Sequence, residues 1–190
     1  GALSANTGSY NTGVGYNALA ANTTGANNTA VGYEALDANT TASSNTAIGA
    51  AALGANTTGT QNVAVGNGAL DASNASNCTA IGYNSLGANT TGTLNTAVGS
   101  EAFATNTTGG YNTAVGQNAL NANTTASNNT AVGQSALAAN TTGTRNSAFG
   151  QAALDAATTG DDNTAIGYAA LGANTTASDN TAVGSYALKN

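Results

Sequence analysis

The sequence contains no Pro, His, Met or Trp, has a single Cys, and is only 5% charged over its 190 residues. Each absence closes off a class of function. Without His, neither a Ser-His-Asp nor a Cys-His nucleophile arrangement can be assembled. Cys78 stands alone, so zinc has no ligand set and no internal disulfide can form. Arg145 and Lys189 are the only basic residues. Two cations cannot neutralise a run of phosphates, which argues against nucleic acid and against an anionic membrane surface. No stretch approaches the roughly 18 consecutive apolar residues of a membrane span. The chain opens at Gly1 without a basic, hydrophobic leader, and it reads as a segment of something longer.

The acids are Glu34, Asp37, Asp71, Glu101, Asp155, Asp161, Asp162 and Asp179, scattered along the chain and giving a net charge of −6. Only Asp161 and Asp162 are adjacent, and neighbours on a strand point to opposite faces, so a pair of cooperating carboxylates is not supplied. Calcium-binding solenoids carry Gly-Gly-x-Gly-x-Asp in every coil, and this chain does not. The expectation is a protein without catalytic residues, cofactor or metal.

What the chain does have is a repeat. Gly15, Gly32, Gly49, Gly66, Gly82, Gly99, Gly116, Gly133, Gly150, Gly167 and Gly184 each close a short Asn-Thr-Ala-Val-Gly-like run, at steps of 17 residues with one step of 16 between Gly66 and Gly82. The shortened unit contains Asp71-Ala-Ser-Asn-Ala-Ser-Asn77, where the usual Ala-Asn-Thr-Thr-Gly element is degraded. Seventeen residues rich in Gly, Asn and Thr cannot hold the two helices of an α-solenoid unit. The reading is all-β: one domain over residues 1–190, a parallel β-solenoid of about eleven 17-residue coils. At ~4.8 Å per coil, that makes a rod of roughly 50 Å.

Tolerance to substitution within the chain separates inside from outside. Two slots never accept a polar residue, and both are expected to form core ladders. One holds Val14, Val31, Ile48, Val65, Ile81, Val98 and their successors; the other holds Leu19, Leu36, Leu53, Leu70, Leu86 and theirs, with Phe103 and Phe149 as the two aromatic members. The slot after the glycine, from Tyr16 and Tyr33 through Asn67 to Gln151, varies freely and is expected to face solvent. The glycines suit a corner needing positive φ or close backbone approach. Asn28, Asn45, Asn62 and their equivalents suit a second corner in the left-handed conformation, with side chains bonding along the stack. Cys78 occupies that slot as a drifted turn residue.

The Thr-Thr pairs supply a candidate surface ladder through Thr24, Thr41, Thr58, Thr91, Thr108, Thr125, Thr142, Thr159 and Thr176. Flat threonine arrays on solenoids resemble the ice-binding faces of hyperactive antifreeze proteins. Since strand neighbours alternate faces, the outward pair is expected to be Asn-x-Thr, as Asn22 with Thr24. The same triplets at Asn22, Asn39, Asn56, Asn89 and Asn106 match the N-glycosylation acceptor. Tight stacking leaves little room for a glycan on every turn. Tyr16 and Tyr33 are the only adjacent tyrosines of one slot, so no continuous aromatic stripe for sugars exists.

The Asn-Thr-Ala-Val-Gly-Tyr-x-Ala-Leu run, repeated from Asn11 to Leu188, resembles the head repeats of trimeric autotransporter adhesins, the YadA-like β-roll, and similar repeats of phage tail fibres and bacterial surface fibres. The match is carried by units such as Thr96-Ala97-Val98-Gly99 followed by Ala102. The family's repeat is shorter, so the extra Ala-Asn-Thr-Thr-Gly element is expected to form a longer outer edge or a third side. The resemblance implies a left-handed, oligomeric solenoid, an extracellular homotrimeric fibre segment at a cell or virion surface that binds host surface, glycan or matrix. Self-association as a homotrimer or an end-to-end filament is the partner expectation, and an ice-binding solenoid is the alternative function.

Overall fold

A computed structural model of the chain describes residues 1–188; Lys189 and Asn190 lie outside the described residues. Each repeat contributes one three-residue strand: β1 (Thr12–Val14), β2 (Thr29–Val31), β3 (Thr46–Ile48), β4 (Val63–Val65), β5 (Thr79–Ile81), β6 (Thr96–Val98), β7 (Thr113–Val115), β8 (Thr130–Val132), β9 (Ser147–Phe149), β10 (Thr164–Ile166) and β11 (Thr181–Val183). They form one eleven-stranded sheet in sequence order. Every pairing is parallel and joins equivalent slots, as in Thr29 with Thr46, Ala30 with Ala47 and Val31 with Ile48. The chain is a β-solenoid of about ten turns. Among the described residues no helix is long and apolar enough to cross a membrane.

Strands this short would not hold a stack, so the rest of the coil must pair too. Gly32 N–H donates back to the Val14 carbonyl at 2.8 Å and Glu34 N–H to Tyr16 at 2.9 Å, while Leu19 N–H donates forward to Ala35 at 3.0 Å and Thr23 N–H to Thr40 at 2.8 Å. The inter-coil ladder therefore continues around the turns, and the backbone polar groups of a thin section are satisfied by the neighbouring coils. This lattice over-determines an unusual backbone. The Leu slot lies in the left-handed region, with Leu36 at φ 51° and Leu137 at φ 50°, as does the residue two before it, for example Asn17 at φ 54°. Such conformations cost a non-glycine residue about 1 kcal/mol or more. Here the cost is offset by burial, since Leu19, Leu36, Leu53, Leu70, Leu86, Phe103, Leu120, Leu137 and Leu154 are fully enclosed.

The Val column departs from expectation. Val14, Ile48, Ile81, Phe149, Ile166 and Val183 are exposed, Val14 by 56%, and Val31, Val65 and Val98 are half-buried. These residues are not core. In a three-residue strand only the middle side chain points inward, and that place belongs to Ala30, Ala47, Ala64, Ala80, Ala97 and the equivalent alanines, all fully buried. The coil interior is filled by Leu, by two alanine columns and by asparagine.

Two asparagine columns run the length of the interior. In the first, Asn45 N–H donates to Asn28 Oδ1 at 3.0 Å, and Asn28 Nδ2 donates to the Ala42 carbonyl at 2.9 Å. The side chain clips one coil to the next as expected. The left-handed residue is the one before it, such as Asn27 at φ 58° or Ser44 at φ 64°, and not the Asn of the column. Cys78 keeps a reduced version of the pattern, with its buried Sγ 3.3 Å from the Gly92 carbonyl; burial pushes its thiol pKa up. In the second column Asn39 Nδ2 donates to Asn22 Oδ1 at 2.7 Å and to the Ala42 carbonyl at 3.0 Å.

This second column has a gap that yields a prediction. Ala157 takes the Asn place, and Asn140 Oδ1 below it is buried with no hydrogen-bond partner. Ala157→Asn is expected to supply the missing donor and to raise stability by about 1 kcal/mol. A higher urea midpoint than that of the unsubstituted chain checks it.

Candidate interaction surface

Three of the outward-facing surfaces are placed by different parts of the coil. The sheet presents Thr and Val columns side by side, because Thr and Val flank the inward Ala in every strand. Thr29, Thr46, Thr79, Thr96, Thr113, Thr130 and Thr164 are half-buried beside the Val, Ile and Phe column. No charged residue occurs in either column of this face. Eleven ranks in register give an uncharged, partly apolar strip along the described stack.

The second column begins past the glycine corner. Tyr16, Tyr33, Asn67, Tyr83, Gln117, Gln134 and Gln151 are exposed there, as expected. Tyr16 and Tyr33 stack with ring centroids 5.4 Å apart, and Tyr168 meets Tyr186 edge-on at 5.0 Å. Glu34, through hydrogen bonding first and charge second, pushes the Tyr33 pKa up. Asp37 and Asp71 sit nearby, and partial burial is the main cause that raises both.

The third is the threonine ledge. Thr24, Thr41, Thr58, Thr91, Thr108, Thr125, Thr142, Thr159 and Thr176 are all exposed. The pair lies in a bend and not a strand, so both of its members face outward, which corrects the alternation expected for Thr23 and Thr24. They differ in what their hydroxyls do. The first Thr donates to the next coil, as Thr23 Oγ1 to the Thr40 carbonyl at 3.0 Å and Thr90 Oγ1 to Thr107 at 2.8 Å. Asn22 is not its outward companion, being fully buried. The ledge is interrupted in the short coil, where exposed Asn74 accepts from Thr57 N–H at 2.7 Å and from the Thr57 hydroxyl at 2.8 Å.

The acceptor amides of Asn22, Asn39, Asn56, Asn89 and Asn106 are fully buried and hydrogen-bonded within the second asparagine column. A glycan on any of these nitrogens is incompatible with the folded stack.

Among the described residues the titratable groups lie scattered at the surface or, as Cys78, alone in the interior. Arg145 pairs with Asp162 through two contacts of 2.7 and 2.8 Å at the surface, which lowers the Asp162 pKa and raises that of Arg145. Exposed pairs of this kind contribute little. Among the described residues no three His, Cys, Asp or Glu side chains come together as metal ligands. A cavity of about 310 Å³ lies against the final coil, lined by Leu171, Asn174, Asn180 and Leu188 among others. It is the surface that a following turn covers in every earlier coil.

Comparison with family models, curated proteins and solved structures gives no match. Sequence reasoning found the ledge and the corner column; it missed the sheet face by assigning its Val column to the interior. The signal that finds it is the inward slot itself, which is Ala in every strand but β1.

Proposed function

We propose that this chain is a structural and adhesive segment of an extracellular fibre, whose copies associate laterally through the sheet face. The observation that carries the reading is the Val column, apolar in every one of its eleven places and outward in all of them, with no charged residue in it or in the Thr column beside it. An outward apolar strip of this length, exposed or half-exposed at every rank, marks an interaction surface. A net charge of −6 elsewhere favours solubility and opposes indiscriminate contact. Homotrimeric association, the arrangement implied by the resemblance to surface-fibre repeats, would convert the Val columns into a shared core. The corner and ledge columns would stay outside, repeated at every coil and available to a host surface, glycan or matrix. Chemistry has no part in this role, and no enzyme activity is proposed.

The test places like charges on the strip. Val98→Glu combined with Val115→Glu changes two outward side chains in the centre of the sheet. The variant is expected to keep the β-sheet circular dichroism of the native chain and to sediment at 18.0 kDa, while the native chain sediments as a multiple of that mass. A variant that still associates as the native chain does would count against the sheet face.

A second reading is favoured by the exposed threonine ledge, whose outer hydroxyls repeat coil after coil. Such an array would order surface water and bind ice. Thermal hysteresis in purified protein, lost on replacing Thr108 and Thr125 by Lys, supports it; its absence removes it.

A further inference from the structure

The first asparagine column clips each coil to the next in the same way, with one exception. At nine of the ten junctions between strands an Asn Oδ1 accepts the N–H of the same slot in the next coil at 2.9–3.1 Å, as Asn62 Oδ1 from Cys78 and Asn95 Oδ1 from Asn112. The tenth junction lies between β5 and β6. There the Asn95 N–H meets the Cys78 sulfur, a weak acceptor in the place of an amide oxygen.

Two further changes fall at the same height. In the second column Asn39 reaches Asn22, and Asn106 reaches Asn89, at 2.7 Å, whereas Asn89 Nδ2 finds Ser73 Oγ at 3.3 Å. Ser85, on the coil above, stands in a slot that is otherwise alanine; it is fully buried and its Oγ has no hydrogen-bond partner. A hydroxyl taken from water without a new bond weakens the packing around it. Ala157 also breaks the second column, but the first column is whole there, with Asn163 N–H on Asn146 Oδ1 at 3.0 Å. Only at β5–β6 do the losses coincide. The strands themselves still pair in register, Thr79 with Thr96 and Ile81 with Val98, so the weakness lies in the side-chain clips and not in the sheet.

In a solenoid each coil touches only its neighbours, so stability is a sum of local terms and one weak interface divides the stack. We infer that the β5–β6 junction is a built-in opening point: the stack parts there while the blocks on either side, β1–β5 and β6–β11, stay folded. A rod of equivalent coils opens by fraying from its ends. This one has an internal place to yield when bent or pulled. The inference concerns a single chain and holds whether or not copies associate.

Native-state hydrogen exchange on the full chain tests it. Amides that cross the junction, Thr79 N–H to Asn95 and Gly99 N–H to Ile81, are expected to exchange about tenfold faster than their equivalents across β7–β8, Thr113 N–H to Asn129 and Gly133 N–H to Val115. That factor is the weight of about one hydrogen bond. Fraying alone predicts the opposite order, since β5–β6 lies nearer the middle. Cys78→Asn restores the residue found at the slot's ten other places, so it should fold, and it is expected to remove the difference. Asn129→Cys should carry fast exchange to β8–β9, read at Thr130 N–H and Gly150 N–H. Exchange across β5–β6 no faster than across β7–β8, fast exchange that Cys78→Asn leaves in place, or an Asn129→Cys chain with unaltered exchange at β8–β9 would each overturn the opening point.

Discussion

Gly99→Ala is expected to destabilise the chain by roughly 3–5 kcal/mol. Gly99 has φ +136°, outside the range that L side chains occupy, and an added Cβ would lie 2.6 Å from the Gly116 carbonyl oxygen and 2.7 Å from its carbon. Both obstacles are backbone of the next coil. That backbone is itself fixed, because Gly116 N–H donates to the Val98 carbonyl at 2.8 Å. The corner cannot open without parting two coils. Gly172→Ala is the control: its φ is ordinary, and its slot already holds Ala104 and Ala138 in other coils. Urea unfolding of the two variants should show a loss below about 1 kcal/mol for the control, in line with a surface change. Equal losses would mean that the glycine column serves no close approach.

The second large effect is expected at Asn112, which lies inside the first asparagine column and is buried. Its Oδ1 accepts from Asn129 N–H at 2.9 Å, and its Nδ2 donates to the Ala126 carbonyl at 3.0 Å and to Gly110 at 3.1 Å. Asn112→Ala strands a buried N–H and weakens the pairing of two carbonyls, at a cost of about 2–4 kcal/mol. Asn112→Asp is nearly the same shape but has no donor when ionised, and it sets a carboxylate against those carbonyls. Burial without a cation raises the folded-state pKa above the unfolded value near 3.9. The sign follows: the penalty is absent below the unfolded pKa and grows as pH rises through the folded pKa. The Asp variant should therefore be less stable than the Ala variant at pH 7 and recover on acidification towards pH 4, where the protonated acid donates again. Parallel urea titrations at the two pH values read this directly, and a pH-independent Asp variant would show that the column is open to water.

Much of the fold could be read from the repeat alone, because stacking places identical slots over one another and turns substitution tolerance into a map of environment. The Leu column, the glycine corner and the variable slot after it were legible in this way. The Val column was not, and the reason is physical. Invariant hydrophobicity does not say on which face of a strand a residue lies. Val98 and Leu86 obey the same rule; only the inward Ala97 between Thr96 and Val98 decides that Val98 points out. The asparagine of Asn-Thr-Thr was read as an outward residue because strand neighbours alternate faces, which would set Asn22 beside Thr24. In the structure Asn106 is buried, since an amide that bonds the coil on either side satisfies itself inside a stack. The left-handed Leu residues had no signal at all, as a backbone held by neighbouring coils overrides a side chain's preference.

Lateral association of copies through the Val column is the central proposal, and the solution mass of the native chain tests it most directly. Sedimentation equilibrium, run across a hundredfold range of concentration, is expected to give a multiple of 18.0 kDa, three copies if the trimeric arrangement holds. A mass of 18.0 kDa at every concentration would contradict it, leaving the outward Val column without the partner proposed for it.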